Sequence, residues 1–301
     1  MTRSNDRSVI LAFGVETLLA GANGVAIRFS NRELAPVWGA GLRFALAAVL
    51  LVAIMLLLRL AIPRGRTLLS AMLFGLLQFA GAFGFFYLAL VQIHAGLGQT
   101  LLALVPLATL LLAVIQRQER LSGTALAGTV LGLAGIGWIY LNPGREPIPL
   151  LALLLVLASV LCFAQALVVI RRLPYIHPVV LNAVGMVTGA FMLLGTSILL
   201  GEAWVLPKRT ETWVALAYVV VIGSVAVFLL HVFVTQHWSA SRAAYVMVTI
   251  PLVAIILSVW LDHEPFTSGL ALGGFLVLLG VYIGALRSSR TSDGLRTTIS
   301  R

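Results

Sequence analysis

The sequence predicts an all-α integral membrane protein with ten transmembrane helices arranged as two inverted five-helix repeats. Three observations lead to this fold class: an extreme apolar composition, long uninterrupted apolar runs and an internal repeat. Of the 301 residues, 60% are hydrophobic and 10% are charged, and the mean hydropathy is +1.06. Soluble domains average about 45–50% apolar and about 25% charged residues. This composition excludes a soluble enzyme, a disordered chain and a secreted disulfide scaffold, since Cys162 is the single cysteine.

Ten apolar runs are long enough to cross a bilayer core of about 30 Å. They cover residues 9–29, 35–59, 67–90, 94–115, 122–141, 148–170, 177–200, 212–236, 240–261 and 267–286. The runs are continuous rather than alternating, so they predict helices and not the strands of a membrane barrel. The first run is predicted to stay as an uncleaved helix and not a signal peptide, because it continues to Ile27 and contains Glu16.

The distribution of basic residues predicts the orientation in the membrane. Fourteen of the 20 Lys and Arg residues fall in the two tails and the even-numbered loops, and Arg43 lies inside span two. The odd-numbered loops hold the other five, which are Arg28, Arg32, Arg145, Lys208 and Arg209. By the positive-inside rule, both termini are predicted to be cytoplasmic. The net charge of +10 is therefore interpreted as a topology signal and not as a nucleic-acid surface.

An offset of 145 residues relates the two halves of the chain without gaps. The pairs in register are Ala95 and Ala240, Pro106 and Pro251, Leu107 and Leu252, Glu119 and Glu264, Gly128 and Gly273, and Gly135 and Gly280. The predicted units are a first repeat over 1–143, a second over 144–287 and a basic cytoplasmic tail over 288–301. Five spans is an odd number, so the second repeat enters the membrane from the opposite side. Inverted repeats are typical of secondary transporters that bind substrate near the midplane, although duplication can also build a membrane scaffold without transport activity.

The repeated stretches resemble the EamA family of the drug/metabolite transporter superfamily. The matching segments are 21–28, 42–44 and 94–98 through Pro106 to 119–121 and Gly128 in the first half, and 239–244 through Pro251 to Glu264, Gly273 and Gly280 in the second. The resemblance extends over nearly the whole chain. It implies a ten-helix bundle of two inverted halves that exports amino acids or related metabolites. Some members of that family import instead, and some carry vitamins or nucleotide-like compounds.

Two charged residues, Glu16 and Arg43, lie well away from the ends of predicted spans, where a charge normally faces a cavity or a partner. Glu16 in span one would act as a protonatable carboxylate that couples transport to protons, or as an anchor for a substrate amino group. Arg43 in span two would anchor a substrate carboxylate. The structural alternative is a buried ion pair between them, or bonding of Arg43 to helix carbonyls. The sequence leaves both interpretations open.

Six further polar residues are predicted to line a substrate path or to take part in coupling. They are Asn23, Gln78, Gln99, Gln165, His231 and Tyr245. Asn23 shares a helical face with Glu16. His231 lies near the middle of span eight and can titrate near neutral pH, so it could serve a proton path. The alternative for all six is interhelical hydrogen bonding or packing.

Prolines, glycines and two acids mark the repeated spans. Pro106 and Pro251 predict mid-span kinks, which act either as gating points or as static bends. The glycines of spans five and ten predict close helix packing, with dimerisation as the alternative. Glu119 and Glu264 are predicted to cap the helices that follow them. Residues 262–264 read Asp-His-Glu and are predicted to form a solvated turn and not a metal site.

The sequence carries no hydrolase, metalloprotease or phosphate-loop motif, so an enzyme is not predicted. We predict a secondary transporter of amino acids or related small metabolites in the inner membrane, exporting by alternating access. Its predicted partners are a small-molecule substrate, the lipid bilayer and protons as a candidate coupling ion, with no nucleic acid, cofactor or metal. Monomer and homodimer both remain open. The alternatives are an importer of a vitamin or nucleotide-like metabolite, and an integral-membrane lipid enzyme.

Overall fold

The computed structural model describes residues 3–118, 122–143, 147–170, 172–228, 230, 234 and 246–286, and this part of the chain is helical without strands. Its ten helices are α1 Arg3–Ser30, α2 Pro36–Leu57, α3 Arg66–Ala89, α4 Ala95–Ile115, α5 Gly123–Leu141, α6 Leu150–Ile170, α7 Pro178–Leu199, α8 Thr210–Ala226, α9 Val246–Leu261 and α10 Ser268–Gly284. The first seven contain apolar stretches long enough to span a membrane, and α8–α10 are shorter apolar helices within the described residues. The predicted all-α membrane architecture is confirmed.

The bundle has two ends, which differ in the loops that they carry. The odd-loop face holds the connections that follow α1, α3, α5, α7 and α9, and the even-loop face lies at the opposite end. The charge pattern predicts that the odd-loop face is external, and that orientation stays a prediction. The sides of the bundle are strongly apolar, since Leu57 and Leu199 are 82% and 88% exposed. Such a surface suits lipid, so the few buried polar groups stand out.

Equivalent helices of the two repeats begin with the same chemistry. Ser122 precedes α5, and its hydroxyl accepts a hydrogen bond from the backbone N–H of Ala125 at 3.2 Å. Thr267 precedes α10 and accepts from the backbone N–H of Leu270 at 3.1 Å. A hydroxyl at this position satisfies one of the free N–H groups of the first turn. The 145-residue offset places Ser122 on Thr267, so the repeat extends to the helix starts.

α3 and α8 each contain a π-helical segment, at Leu76–Ala82 and Tyr218–Ala226. The offset places 76–82 on 221–227, so the irregularity occurs at overlapping positions of the two repeats. A π segment widens the helical turn and frequently occurs at functional sites. The segment in α8 contains Gly223 and Ser224, which both contact the buried side chain of Arg43.

The two matched prolines have different local structures. α4 is interrupted at Ala103 and Leu104, and its second half begins at Val105 with Pro106 in the first turn. A proline is well tolerated there, because the first-turn N–H groups have no intrahelical acceptor. α9 stays α-helical from Val246 to Leu261 with Pro251 inside it. The sequence therefore predicted a symmetric pair of kinks, whereas of these two helices only α4 is interrupted at its proline.

α5 and α10 pack against each other through their glycines. A Cβ on Gly128 would lie 2.5 Å from the carbonyl oxygen of Gly280, and one on Gly135 would lie 2.7 Å from that of Gly273. Gly273 is the repeat copy of Gly128, and Gly280 is the copy of Gly135. Each position therefore contacts the repeat copy of the other position, which is the isologous arrangement of a two-fold axis. The predicted close packing is confirmed, and it places the two repeats about a pseudo-two-fold axis through this helix pair.

Candidate functional site

Arg43 is completely buried inside the bundle, with an exposed fraction of 0%. It lies about 11 Å along α2 from Pro36, given a rise of 1.5 Å per residue. On insertion scales, a charged residue at the centre of a membrane helix costs about 2.5–3.5 kcal/mol. A guanidinium at this depth therefore requires polar neighbours.

Both repeats supply the polar neighbours of Arg43. Its Nε donates to Ser224 Oγ at 3.0 Å, and its Nη2 donates to the Gly223 carbonyl at 3.4 Å. Ser224 Oγ in turn donates to the Val219 carbonyl at 2.8 Å, five residues earlier in the π segment of α8. Nη1 lies 3.5 Å from the hydroxyl of Tyr87 on α3. Helices α2, α3 and α8 therefore converge on one guanidinium.

Two aromatic rings complete the surroundings of Arg43. Its Cζ lies 4.9 Å from the ring centroid of Phe44 and 4.8 Å from that of Phe83, close enough for cation–π attraction. Among the described residues, no carboxylate lies within ion-pair distance of Arg43, so an ion pair with Glu16 is not one of its contacts. A guanidinium has five N–H donors, and the three neutral acceptors engage three of them.

Asn23 of α1 borders the same region. A Cβ on Gly223 would collide with Asn23 Oδ1 and would lie 3.3 Å from Arg43 Nη2, so both groups pack close to this glycine. Asn23 Oδ1 is buried, and no donor in the described part of the chain bonds it. A buried acceptor without a donor costs about 1–3 kcal/mol. Gln99 of α4 packs on Gly24, the next residue along α1, with its Nε2 3.2 Å from the position of a Cβ there.

Glu16 is buried in α1, with an exposed fraction of 1%. The next residue, Thr17, places its hydroxyl 3.3 Å from that of Thr249 on α9. Glu16 is therefore adjacent to a contact between the two repeats, at a different place along α1 from Asn23. The ion pair between Glu16 and Arg43 that the sequence had left open is not among the ion pairs of the described residues.

The remaining predicted residues do not gather at Arg43. Gln165 accepts a hydrogen bond from Gln116 Nε2 at 2.7 Å, near the even-loop ends of α6 and α4. Gln78 lies in the π segment of α3, and its buried Oε1 has no donor among the described residues. His231 and Tyr245 lie outside the described residues. Gln165 thus has the interhelical role that was the structural alternative for this group.

Gly223, Ser224 and Tyr87 were not predicted as partners of Arg43. The signal for the first two is visible in the sequence, since Gly-Ser interrupts an otherwise apolar run in span eight. A small residue followed by a hydroxyl provides room and an acceptor within a buried helix. The sequence does not indicate which helix this pair faces.

A cluster of charges joins the repeats at the odd-loop face. Asp262, which follows α9, forms an ion pair with Arg28, whose Nε lies 2.5 Å from the carboxylate, and accepts a hydrogen bond from Arg32 Nη2 at 3.2 Å. Its carboxylate also lies 3.2 Å from His94 Nδ1. Burial by itself raises the pKa of Asp262, but the hydrogen bond with His94 and the charges of Arg28 and His94 bring the pKa below its ordinary value. The side chain of Asp262 is 3% exposed, so the predicted solvated turn is wrong at this residue.

Glu264 binds the start of a helix in the other repeat. Its carboxylate accepts from the backbone N–H of Gly96 at 2.9 Å and of Leu97 at 3.0 Å, in the first turn of α4. Burial raises its pKa, and hydrogen bonds from the backbone oppose that shift in part. The prediction that Glu264 caps the next helix is wrong, because Thr267 does so. Glu119, its repeat copy, lies outside the described residues.

Two more acids make the same type of contact. Glu202 accepts from the backbone N–H groups of Val37 at 3.1 Å and Trp38 at 2.7 Å, at the start of α2. Glu33 accepts from the backbone N–H of Arg209 at 3.0 Å, at the start of α8. Carboxylates suit these positions because helix N-termini carry free N–H groups and a positive dipole end. Trp38 also stacks on Trp204 across the repeats, with centroids 4.4 Å apart.

The duplicated helices and the interior polar site belong to a chain that matches one known family twice. The sequence model of the EamA-like transporter family matches residues 7–141 and 150–285. The chain belongs to the EamA-like transporter family. The EamA match occurs once in each repeat, in agreement with the 145-residue offset and with the isologous contact of α5 and α10.

Two relatives of this EamA-family chain are named as uncharacterized transporters. It is 29% identical over 281 residues to the inner membrane transporter YedA of Escherichia coli strain K12, covering 88% of this chain and 89% of YedA. It is 26% identical over 294 residues to the transporter YoaV of Bacillus subtilis strain 168, covering 94% and 98%. One solved crystal structure matches with a TM-score of 0.64 and 20% identity over 96% of this chain and 99% of the other, which supports the fold.

Proposed function

We propose that this EamA-family protein is a secondary transporter that exports amino acids or related small metabolites across the inner membrane by alternating access. The observation that carries the proposal is the fully buried Arg43, which neutral groups from both repeats surround. A buried cation is unfavourable unless an anion compensates it, and a bound substrate can supply that anion.

The chemistry of the guanidinium favours a carboxylate. Its planar fork matches the two oxygens of a carboxylate, and hydrogen bonds between two charged groups are the strongest of their kind. The polar neighbours of Arg43 come from α3 of one repeat and α8 of the other. A site shared by both repeats can be exposed to either side as the repeats rock. Placement in the inner membrane is supported by the similarity to YedA.

The first experiment tests Arg43 directly. Metabolite profiling of cells with and without the protein identifies candidate substrates, and counterflow in proteoliposomes measures their transport. Arg43→Gln should lower transport at least about tenfold, because the charge-assisted bonds to the substrate are lost. The transport rate of Arg43→Lys should lie between those of the parent protein and Arg43→Gln, because lysine keeps the positive charge but lacks the planar guanidinium that can bind both carboxylate oxygens. Arg66→Gln, at an exposed arginine at the start of α3, is the matched control. Transport by Arg43→Gln at the parent rate would refute the proposal.

The second experiment tests coupling to protons through Glu16. Glu16→Gln keeps the shape and hydrogen-bonding capacity of the side chain but cannot titrate. In proteoliposomes this variant should stop responding to an imposed pH gradient while substrate exchange continues. If the variant responds to the gradient like the parent protein, Glu16 is not the coupling group. Thr17→Ser, at the neighbouring buried position, controls for disturbance of the contact with α9.

A further inference from the structure

We infer that the even-loop face binds anionic phospholipids, with the guanidinium groups of Arg59 and Arg117 on the lipid phosphates. This surface lies outside the interior site, so the inference does not depend on which substrate is transported. It follows from the backbone conformation of the two arginines, from their surroundings, and from a glycine that takes the same position at the opposite end of the bundle.

Arg59 and Arg117 follow the ends of α2 and α4 in a conformation that arginine rarely adopts. Their φ angles are 52° and 57°, in the left-handed region. At both helix ends, the N–H of the arginine donates to the carbonyl three residues earlier, and the next N–H donates to the carbonyl five residues before it, at 2.7–3.0 Å. In this type of helix ending, the left-handed residue is usually glycine.

α7 has the same ending at the odd-loop face, with glycine in the left-handed position. Gly201 has a φ of 67°, and its N–H donates to the Ile198 carbonyl at 3.0 Å, while the N–H of Glu202 donates to the Ser197 carbonyl at 3.1 Å. Two leucines that are more than half exposed come directly before both Gly201 and Arg59. The two helix ends therefore share their backbone and their apolar flank, and they differ in the arginine.

Attraction to the helix dipole does not account for this placement. A cation is favoured anywhere in the last turn of a helix, so an arginine with an ordinary negative φ would gain the same attraction without the conformational cost. The positive-inside pattern requires basic residues in these loops, but not at the left-handed position. A non-glycine residue in this region is costly and is often found where its side chain binds a partner.

The surroundings of the two arginines indicate an anion at the boundary of the bilayer. Both residues are exposed, and neither side chain has a hydrogen bond or an ion pair within the described part of the chain. Leu57 and Ile115, two residues before them, are 82% and 73% exposed, which suits contact with acyl chains. A guanidinium directly beyond that contact lies at the depth of the lipid phosphates, whose oxygens match its planar fork.

The charge of the even-loop face favours an anionic lipid over a zwitterionic one. The tails and even-numbered loops hold 14 basic residues and three acids, which are Asp6, Glu119 and Asp293. Basic segments beside a membrane helix are attracted to anionic lipids, whereas a zwitterionic head group carries no net charge. The occupant of the two arginines is therefore the phosphate of an anionic phospholipid.

The test compares lipids that differ in head-group charge. Full-length protein in a neutral detergent is titrated with phosphatidylglycerol or with phosphatidylcholine of the same acyl chains, and the melting temperature is recorded. Phosphatidylglycerol should stabilise the parent protein at about twentyfold lower concentration, because each basic residue near an anionic lipid contributes about fivefold in affinity. Inorganic phosphate, added without either lipid, should leave the melting temperature unchanged.

Three double variants separate lipid binding from folding. Arg59→Gly with Arg117→Gly removes both charges, and without anionic lipid it should melt no lower than the parent protein, because glycine fits the left-handed backbone. Its apparent affinity for phosphatidylglycerol should fall about twentyfold. Arg59→Asn with Arg117→Asn should lose the same response, since asparagine also tolerates this region. Lys208→Gln with Arg209→Gln removes two exposed charges from the odd-loop face, and as the matched control it should respond like the parent.

Each arm can overturn the inference. Equal stabilisation of the parent protein by the two lipids would do so, as would a parent-like response of either double variant at Arg59 and Arg117. If the control variant loses the response to the same extent, net charge and not the two helix ends determines lipid binding, and the inference is wrong. Stabilisation by inorganic phosphate equal to that by phosphatidylglycerol would assign the arginines to a soluble anion and not to lipid.

Discussion

The odd-loop face and the interior around Arg43 differ in the partners that their charged side chains have. At the odd-loop face, Glu33, Glu202, Asp262 and Glu264 each accept hydrogen bonds from the other repeat. Around Arg43, the polar contacts within the described residues come from a serine, a tyrosine and a backbone carbonyl. Acids thus hold the repeats together at one end, while the interior cation has neutral partners among the described residues.

For the alternating access proposed above, this difference indicates which contacts would have to change. The acids of the odd-loop face are bound to helix starts and basic side chains that belong to the opposite repeat. Opening that face requires those bonds to be exchanged for bonds to water. The neighbours of Arg43 are neutral, so exchanging them for a substrate anion involves no competing charge. The odd-loop face therefore suits the gating role, and the surroundings of Arg43 the binding role, of the proposed transport cycle.

Introducing a carboxylate beside Arg43 should have the largest effect on transport. Ser224→Asp places a carboxylate beside the Arg43 guanidinium, where Ser224 Oγ now lies 3.0 Å from Nε. Transport should fall about a hundredfold, because charge-assisted bonds of about 1.5–3 kcal/mol each would go to the new acid and not to the substrate. Ser224→Ala is the control and should retain most activity. Counterflow in proteoliposomes measures the effect, and parent-level transport by Ser224→Asp would show that the charge of Arg43 is not used.

Removing an acid from the odd-loop face should lower stability. Glu264→Ala leaves two buried N–H groups of α4 without their acceptor, which should cost about 3 kcal/mol. Thr267→Ala removes a helix cap inside one repeat and should cost about 1 kcal/mol. The melting temperature in detergent should therefore fall more for Glu264→Ala. Equal shifts would mean that the contact between repeats contributes no more than a local cap.

The pH dependence of the odd-loop face should have two components of opposite sign. The lowered pKa of Asp262 means that the unfolded chain binds its proton more readily, so its contribution to stability is full above about pH 4 and is lost as the pH falls through the folded pKa. The raised pKa of Glu264 favours its protonated form in the fold, so stability falls as the pH rises from about 4.5 through that pKa.

Thermal melting across pH 3–8 separates these components. Asp262→Asn should remove the loss of stability at low pH, and Glu264→Gln should remove the loss of stability that occurs as the pH rises. A pH profile that neither substitution changes would place the controlling groups elsewhere in the molecule.

The smallest expected effect concerns α4, which connects the two regions. Its first turn binds Glu264, and Gln99 within it packs on Gly24 beside Asn23. Pro106→Ala should change the transport rate severalfold with little change in the amount of folded protein, because α4 is interrupted directly before this residue. Pro251→Ala should change the rate less, since α9 is regular there. Equal effects of the two substitutions would mean that the interruption of α4 has no special role.

Much of the fold could be predicted from the sequence, because membrane helices follow from length and apolarity. The glycine packing of α5 and α10 was predictable for a similar reason, since small residues recur there at helical spacing. Arg43 and Asn23 could be identified because a polar residue within an apolar span is costly and therefore informative. These inferences need no knowledge of how one helix is rotated against another.

The contacts of those residues could not be predicted. Arg43 meets Ser224 because α2 and α8 pack at a particular rotation, and periodicity within either helix does not determine it. Asp262 and Glu264 were expected to be solvated because their loop is short and polar. Their acceptors are instead satisfied by groups about 170 residues away in the chain, which only the packing of the two repeats brings near.

The isologous glycine contact of α5 and α10 also constrains how this gene can change. Gly128 packs on Gly280, which is the repeat copy of Gly135, and Gly135 packs on Gly273, which is the repeat copy of Gly128. Before the halves diverged, both sides of the contact would have had the same residue at each position. A single substitution would then have disturbed the contact at two places. After divergence, each glycine remains tied to a backbone carbonyl of the opposite half. The two halves can therefore differ from each other at Arg43 and its counterpart Thr188, which share no such contact, whereas substitutions are restricted along the contact of α5 and α10.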